Sequence, residues 1–286
     1  MNVLTIGGSR NIGYYSSVRL LDAGCTVTFL LRNPSVFDAD ETIQKHVKSG
    51  KALLVKGDAL IEQDVKRVWE EAAAHGPEGK VDQVIFTVGG TPKFDARHLV
   101  VVKPENLVTL SLLNVLRTMP PTSKQPFPRI VTISSTGLTK TSHESLPLLL
   151  KPLYAYILAS PHKDKVGVER VVSHVCNWEW NPADGEPEEN ILPKGWQNFE
   201  GLPEKGSLKD YILVIRPALL TDGECKAEEE PKKKKKDDKP AYRVQDVNDG
   251  ELRGWTVSRK DVAHFVVQAV SERWDEFKGK RVNIAY

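Results

Sequence analysis

Gly7, Gly8 and Gly13 stand in the run LTIGGSRNIGYYSSVRLL, where an apolar, β-branched stretch gives way to a helical pattern. A turn of this kind gathers backbone N–H groups at the positive end of a helix, which is where a phosphate or pyrophosphate binds. A glycine cluster alone is a weak signal; the strand before it and the helix after it supply the context that a phosphate-binding turn requires. Asn11 occupies the place of a middle glycine, and Asn tolerates the left-handed backbone angles that glycine would provide. Two cations accompany the turn. Arg10 lies inside it, and Arg32 ends the next apolar run, TVTFLLRNP, nineteen residues after Gly13. A carboxylate at that place would accept from a ribose 2′-hydroxyl, whereas a guanidinium pairs bidentately with a 2′-phosphate. Either arginine taken alone also reads as a solvated surface charge.

Holding such a turn takes alternating strands and helices. Strands are predicted at Val3–Ile6, Thr26–Leu31, Ala52–Val55, Gln83–Val88, Arg129–Ser134 and Tyr211–Ile215, with a last one at Arg281–Ala285. Helical patterns fall near 11–23, 61–74, 103–118, 161–176 and 259–274. The alternation predicts an α/β fold whose parallel sheet is covered on both faces, and right-handed crossovers leave a doubly wound, Rossmann-like topology. Ser160 as N-cap and Pro161 at the first helical position open the fourth helix, and Val168, Val171, Val172 and Val175 form its apolar face. Ser258 and Asp261 have the spacing of a capping box.

The 286 residues read as one domain, with a cofactor half over 1–134 and a substrate side over 135–286. Two stretches interrupt the rhythm. Residues 177–208 are rich in Pro, Gly, acid and Trp, and their three tryptophans either cover a ligand or pin the loop to the body. Residues 226–240 are a charge run, read as a solvated loop or, through Lys232–Lys236, as a nuclear-import or polyanion contact.

Composition excludes several classes. An apolar fraction of 40% with 27% charged residues argues against wholesale disorder. Residues 226–239 hold seven Lys and five acids, and outside them 33 basic residues face 33 acidic ones. A neutral body gives no basic face, so no nucleic acid is expected as a partner. No apolar run approaches the roughly 20 residues of a membrane span, and the opening MNVLTIGGSR lacks a signal-peptide layout. Cys25, Cys176 and Cys225 suit neither zinc nor a disulfide framework, so no metal is expected and a reducing, cytoplasmic location is. Oligomeric state stays open.

In order along the chain, four further segments sharpen the reading. GGSRNIG resembles the cofactor loop of the short-chain dehydrogenase/reductase superfamily, and Ser9 and Ile12 join its ligand-facing residues on that resemblance. VIFTVGG (84–90) is similar to the segment after the fourth strand that runs along the cofactor, which implies Val88, Gly89 and Gly90. RIVTISSTG (129–137) is similar to the fifth strand with its active-site serine. LVIRPALLTDG (213–223) resembles the sixth strand and the turn beside the nicotinamide, which implies Pro217. VSRKDVAHFVVQAV (257–270) resembles the late helix of the atypical, NmrA-like branch. Asp58 matches the family's adenine contact and equally fits a turn aspartate. With Arg10 and Arg32 in place and no acid after the second strand, NADP(H) is the expected cofactor.

At the reacting end the family's Tyr-x-x-x-Lys pair is absent. Lys165 in PHKDKVGVE resembles the family lysine, but Pro161 stands four residues before it. Three readings follow. Lys165 holds the cofactor ribose while Tyr154, Tyr156 or His162 handles the proton; or the substrate needs little protein acid and positioning beside the nicotinamide suffices; or the protein senses NADP(H) without reducing anything. Ser134 and Ser135 end the fifth strand, where a hydroxyl could orient a carbonyl or cap a turn. Tyr154 and Tyr156 also suit an apolar wall, His162 an exposed helix start, and Lys165 a plain surface lysine. The expected activity is NADPH-dependent reduction of a small carbonyl, quinone or related electrophile. The alternatives are a non-catalytic NADP(H)-binding regulator and, more remotely, an epimerase or isomerase.

Overall fold

The first strand, β1 (Asn2–Ile6), sends Val3 to one side of a sheet and Leu4 and Ile6 to the other, and all three are buried. Side chains alternate along a strand, so burial on both sides means that both faces are covered. The same alternation holds in β5 (Arg129–Ile133) and β6 (Ile212–Pro217), where Ile130, Ile212 and Val214 face one layer and Val131, Leu213 and Ile215 the other. The computed structural model describes residues 1–90, 102–120, 126–138, 159–229, 240–250, 252 and 254–286.

Around these strands lie β2 (Thr26–Leu31), β3 (Ala52–Lys56), β4 (Gln83–Phe86), β7 (Leu219–Thr221), β8 (Arg243–Asp246), β9 (Thr256–Ser258) and β10 (Lys280–Ala285). The helices are α1 (Asn11–Asp22), α2 (Glu41–Lys48), α3 (Glu62–His75), α4 (Leu107–Arg117), α5 (Ala159–Val175), α6 (Arg259–Ser271) and the short α7 (Trp274–Phe277). The eight-stranded sheet runs β3-β2-β1-β4-β5-β6-β10-β8 and is parallel except for β8, which pairs antiparallel with β10. A parallel β7–β9 pair stands apart. One layer is built from α1, α2, α6 and α7, the other from α3, α4 and α5. The strand order reverses between β1 and β4. In open α/β sheets, ligands bind in the crevice beyond the strand ends at such a switch point, and the glycine turn leaves β1 there.

The doubly wound sheet is therefore as the sequence predicts, with local corrections. Helix α2 was not expected; the Asp40 side chain caps it by accepting from Ile43 N–H at 3.0 Å. β4 stops at Phe86 rather than Val88, because Thr87 turns to the glycine loop and donates its hydroxyl to the Gly7 carbonyl at 3.0 Å. α5 starts at Ala159, so Ser160 lies inside the helix and is not its N-cap. Pro161 remains in the first turn, where its missing N–H has no intrahelical acceptor to satisfy. Ser258 does cap α6 by accepting from Asp261 N–H at 2.9 Å. The reciprocal half of the box is replaced, since Ser258 N–H donates to the Tyr286 hydroxyl at 3.0 Å.

The tryptophans of 177–208 pin the segment to the body. Trp196 is buried, Trp180 donates to the Gly185 carbonyl at 2.8 Å, and the Arg170 guanidinium lies 5.7 Å from both rings. Trp178 packs under Arg281 at 5.2 Å. Of the charge run, residues 230–239, with Lys232–Lys236, lie outside the described residues.

Candidate active site

At the end of β1 the chain enters the turn with Gly7 at φ +91°. A Cβ on Gly7 would stand 2.5 Å from the backbone of Thr87 and Val88, and one on Gly13 would overlap the Thr87 hydroxyl and the Gly7 carbonyl. These glycines are required because the turn packs directly on the chain leaving β4. Gly8 is used differently: it packs on Thr5 and Phe29 below the turn. Asn11 adopts φ +55°, the left-handed conformation anticipated for it. Helix α1 then starts with no side-chain cap and no acid in its first turn. Its first N–H groups and positive dipole end are thus left for an anion.

The turn forms one wall of a cavity of about 830 Å³ at the switch point, well within the size range of ligand sites. Gly7, Ser9, Arg10, Asn11, Ile12 and Gly13 line it from the turn. Leu30, Arg32, Asn33 and Val36 line it from the end of β2, and Asp58 and Ala59 from the end of β3. Thr87, Val88, Gly89 and Gly90 follow β4, Leu107 and Ser111 come from α4, and Ile133 ends β5. Lys165, Leu220 and Arg259 line it as well, with Ile6, Leu31 and Gly57 at the ends of the first three strands. Arg10 and Arg32 are both exposed, and Arg32 forms no ion pair among the described residues. Asp58 is a turn aspartate, its Oδ1 accepting from Leu60 N–H at 3.0 Å, and it also lines the cavity.

At the far end, Lys165 reaches from α5 and donates from Nζ to the Ser134 carbonyl at 2.8 Å. Burial pushes its amine down to about 8, against the pull of Glu169 and Asp164. Ser134 itself is 1% exposed and does not line the cavity. Its hydroxyl donates to Glu169 Oε1 at 2.5 Å, so the expectation that it orients a carbonyl is corrected: a buried carboxylate has claimed it. Glu169 is also gripped by Arg216, whose Nε donates at 2.7 Å to Oε1 while a terminal nitrogen bonds Oε2. Burial alone would raise the Glu169 carboxyl; Arg216 and then the Ser134 hydroxyl hold it below its ordinary value. Ser135 is half-buried, with its hydroxyl on the Thr136 carbonyl at 3.2 Å.

Four other expected positions, Ser135 among them, are not in the lining of the described cavity. Gly8 lies beneath the turn, Pro217 accepts the Thr136 hydroxyl and N–H on its carbonyl, and His162 sits half-buried in the first turns of α5. Tyr154 and Tyr156 lie outside the described residues. Sequence reading missed Ser111, Arg259, Glu169 and Arg216. The last two carried a signal, since Arg216 directly follows the apolar run ILVI and Glu169 sits among the valines of the α5 face. Arg259 lines the cavity and pairs with Asp222 at 2.7 Å. Ser111 is fully buried, and its hydroxyl has no partner among the described residues.

The glycine-shaped turn, the uncapped helix start and the Ser111 hydroxyl, unpartnered among the described residues, fit a dinucleotide lying across the strand ends. Together, fold and cavity define a dinucleotide-binding α/β protein. The chain matches the short chain dehydrogenase family over residues 1–146 and belongs to that family, which places it among the nicotinamide-dependent oxidoreductases. The reductase pytE of Aspergillus terreus is 26% identical over 280 residues, covering 93% of this chain and 90% of that one. Among solved structures, a wide-type short-chain dehydrogenase/reductase of Veillonella parvula in complex with NADP superposes with a TM-score of 0.57 at 10% identity, over 99% of this chain and 94% of that one. ChuY, an anaerobillin reductase of Escherichia coli, gives 0.53 at 15% identity, over 99% and 96%. At these identities the structural likeness is one of fold. No helix among the described residues is long and apolar enough to cross a membrane.

Proposed function

We propose that this protein is an NADPH-dependent reductase of a small carbonyl, quinone or related electrophile, acting as one unit over 1–286 in the cytoplasm. The observation that carries the cofactor choice is the meeting of Arg10 and Arg32 on one cavity, with no carboxylate at the end of β2. Two guanidinium groups there recognise a 2′-phosphate, while the turn amides of Asn11, Ile12 and Gly13 hold the pyrophosphate. Asp58 borders the adenosine, and Val88, Gly89 and Gly90 run beside the ribose. NADPH supplies the hydride. Lys165 holds the nicotinamide ribose and, with its depressed amine, delivers or relays the substrate proton. Ser135, bound only weakly to its neighbour's carbonyl, orients the substrate oxygen. The reductase names of the pytE and ChuY proteins support the reaction class.

The test is NADPH oxidation, followed at the nicotinamide absorbance, with a panel of quinones, ketones and aldehydes. Turnover with a panel member, lost in Lys165→Ala and Ser135→Ala, is the expected result. A second reading, an NmrA-like NADP(H) sensor, is favoured by the commitment of the Ser134 hydroxyl to Glu169 and by the lack of a Tyr four residues before Lys165. Tight NADPH binding without turnover across the panel selects the sensor.

A further inference from the structure

Lys165 and Glu169 lie one helical turn apart on α5 and face the same way. Both meet the end of β5 through a single residue. The Ser134 carbonyl accepts from Lys165, and the Ser134 hydroxyl donates to Glu169. Arg216, on the adjacent strand β6, holds the other side of the Glu169 carboxylate. The charges around the amine are few. From its own helix come Asp164 and Glu169, while Arg216 and, from β10, Arg281 surround Glu169. Asp164 has both oxygens committed to α4, accepting from Val108 N–H at 2.7 Å and Thr109 N–H at 2.9 Å. The oxygens of Glu169 are likewise taken, by Ser134 and Arg216, but of the two carboxylates it is Glu169 whose charge acts more strongly on the Lys165 amine. Stability is a poor account of such a buried pair, because well-packed apolar residues of similar volume usually serve as well.

We propose that Glu169, clamped by Arg216, is a positioning residue for Lys165: it fixes the Ser134 hydroxyl, and so the strand end whose carbonyl holds the amine at the cavity. This rests on the reading that Lys165 works at the reacting end. The charge of the same carboxylate favours the protonated amine, against the effect of burial. Stabilising an ammonium and aiming it are thus one task, carried out from outside the cavity lining.

Competitive acylation of the full-length protein with acetic anhydride, read by mass at the Lys165 peptide between about pH 6 and 10, reports the amine's titration directly. In Glu169→Gln/Arg216→Met, which removes both charges together, the midpoint falls by about one unit, roughly a tenfold change in labelling at fixed pH. Ser134→Ala, which leaves the ion pair whole, gives a smaller shift in the same direction, and Ser134→Thr restores it. Unchanged midpoints in the double variant and in Ser134→Ala overturn the proposal and leave the pair a purely structural one. Because labelling needs no turnover, failure of the reductase reading would appear separately, as wild-type protein that oxidises no NADPH while the Lys165 midpoint still moves.

Discussion

At the glycine-turn end of the cavity, Arg10 and Arg32 are exposed, and α1 opens with neither a side-chain cap nor an acid. At the other end, Ser134, Glu169 and Arg216 are buried and bonded to one another, and only Lys165 reaches the cavity from that group. The contrast separates two ways of using polar groups. The first end leaves the helix-start donors and the Arg32 guanidinium facing a cavity that suits an anionic ligand. The second satisfies its donors internally, so that one amine is delivered in a fixed place. Binding is therefore expected to tolerate changes at the reacting end, and turnover to be sensitive to them.

The contrast can be broken most sharply at Lys165. Lys165→Ala is expected to lower turnover by about two orders of magnitude or more, the range of a lost general acid. The NADPH dissociation constant, measured by calorimetry, should change far less. Equal losses in both would mean that the two ends are not separable. Next in size is Gly13→Ala. Its methyl has nowhere to go between the Thr87 hydroxyl and the Gly7 carbonyl, so urea unfolding should show a loss of about 1–3 kcal/mol. Full stability in that variant would contradict the tight seating of the turn on β4.

A pH profile sharpens the reacting end. With the Lys165 amine near 8, the protonated form prevails below that value, and turnover should fall as pH rises through it. The sign for stability is opposite. The unfolded chain holds this proton more tightly, so the residue's contribution to stability rises with pH from about 8 towards the ordinary lysine value of about 10.4. A flat rate profile across that window would remove Lys165 as proton source. The smallest effect is expected at Asn11, already left-handed at φ +55°. Asn11→Gly should move stability by less than about 1 kcal/mol, relief of strain being offset by the entropy of glycine.

Legibility in the sequence divides along the same line. The turn, its glycines and Arg32 could be read because a phosphate-binding turn is local: strand, glycines and helix follow one another within twenty residues. The sheet was equally legible, since Val3, Leu4 and Ile6 or Ile212 through Ile215 announce two-sided burial by their types alone. The reacting end depends on contacts across long separations. Ser134 meets Glu169 over 35 residues and Glu169 meets Arg216 over 47, so nothing near Ser134 reveals that its hydroxyl is committed. Arg216, directly after ILVI in the same strand, was a visible anomaly, because a charge in a two-sided strand must have a buried partner. The role of the tryptophans in 177–208 was open for the same reason: their partners Arg170 and Arg281 come from α5 and β10.

Central to the account is recognition of a 2′-phosphate by Arg10 and Arg32. Titration calorimetry of the wild-type protein and Arg32→Asp with NADPH and NADH tests it most directly. NADPH should bind the wild type at least about tenfold more tightly than NADH, the scale of a charge-assisted bidentate pair, and Arg32→Asp should erase or invert the difference. Equal affinities in the wild type, or a preference untouched by Arg32→Asp, would contradict it.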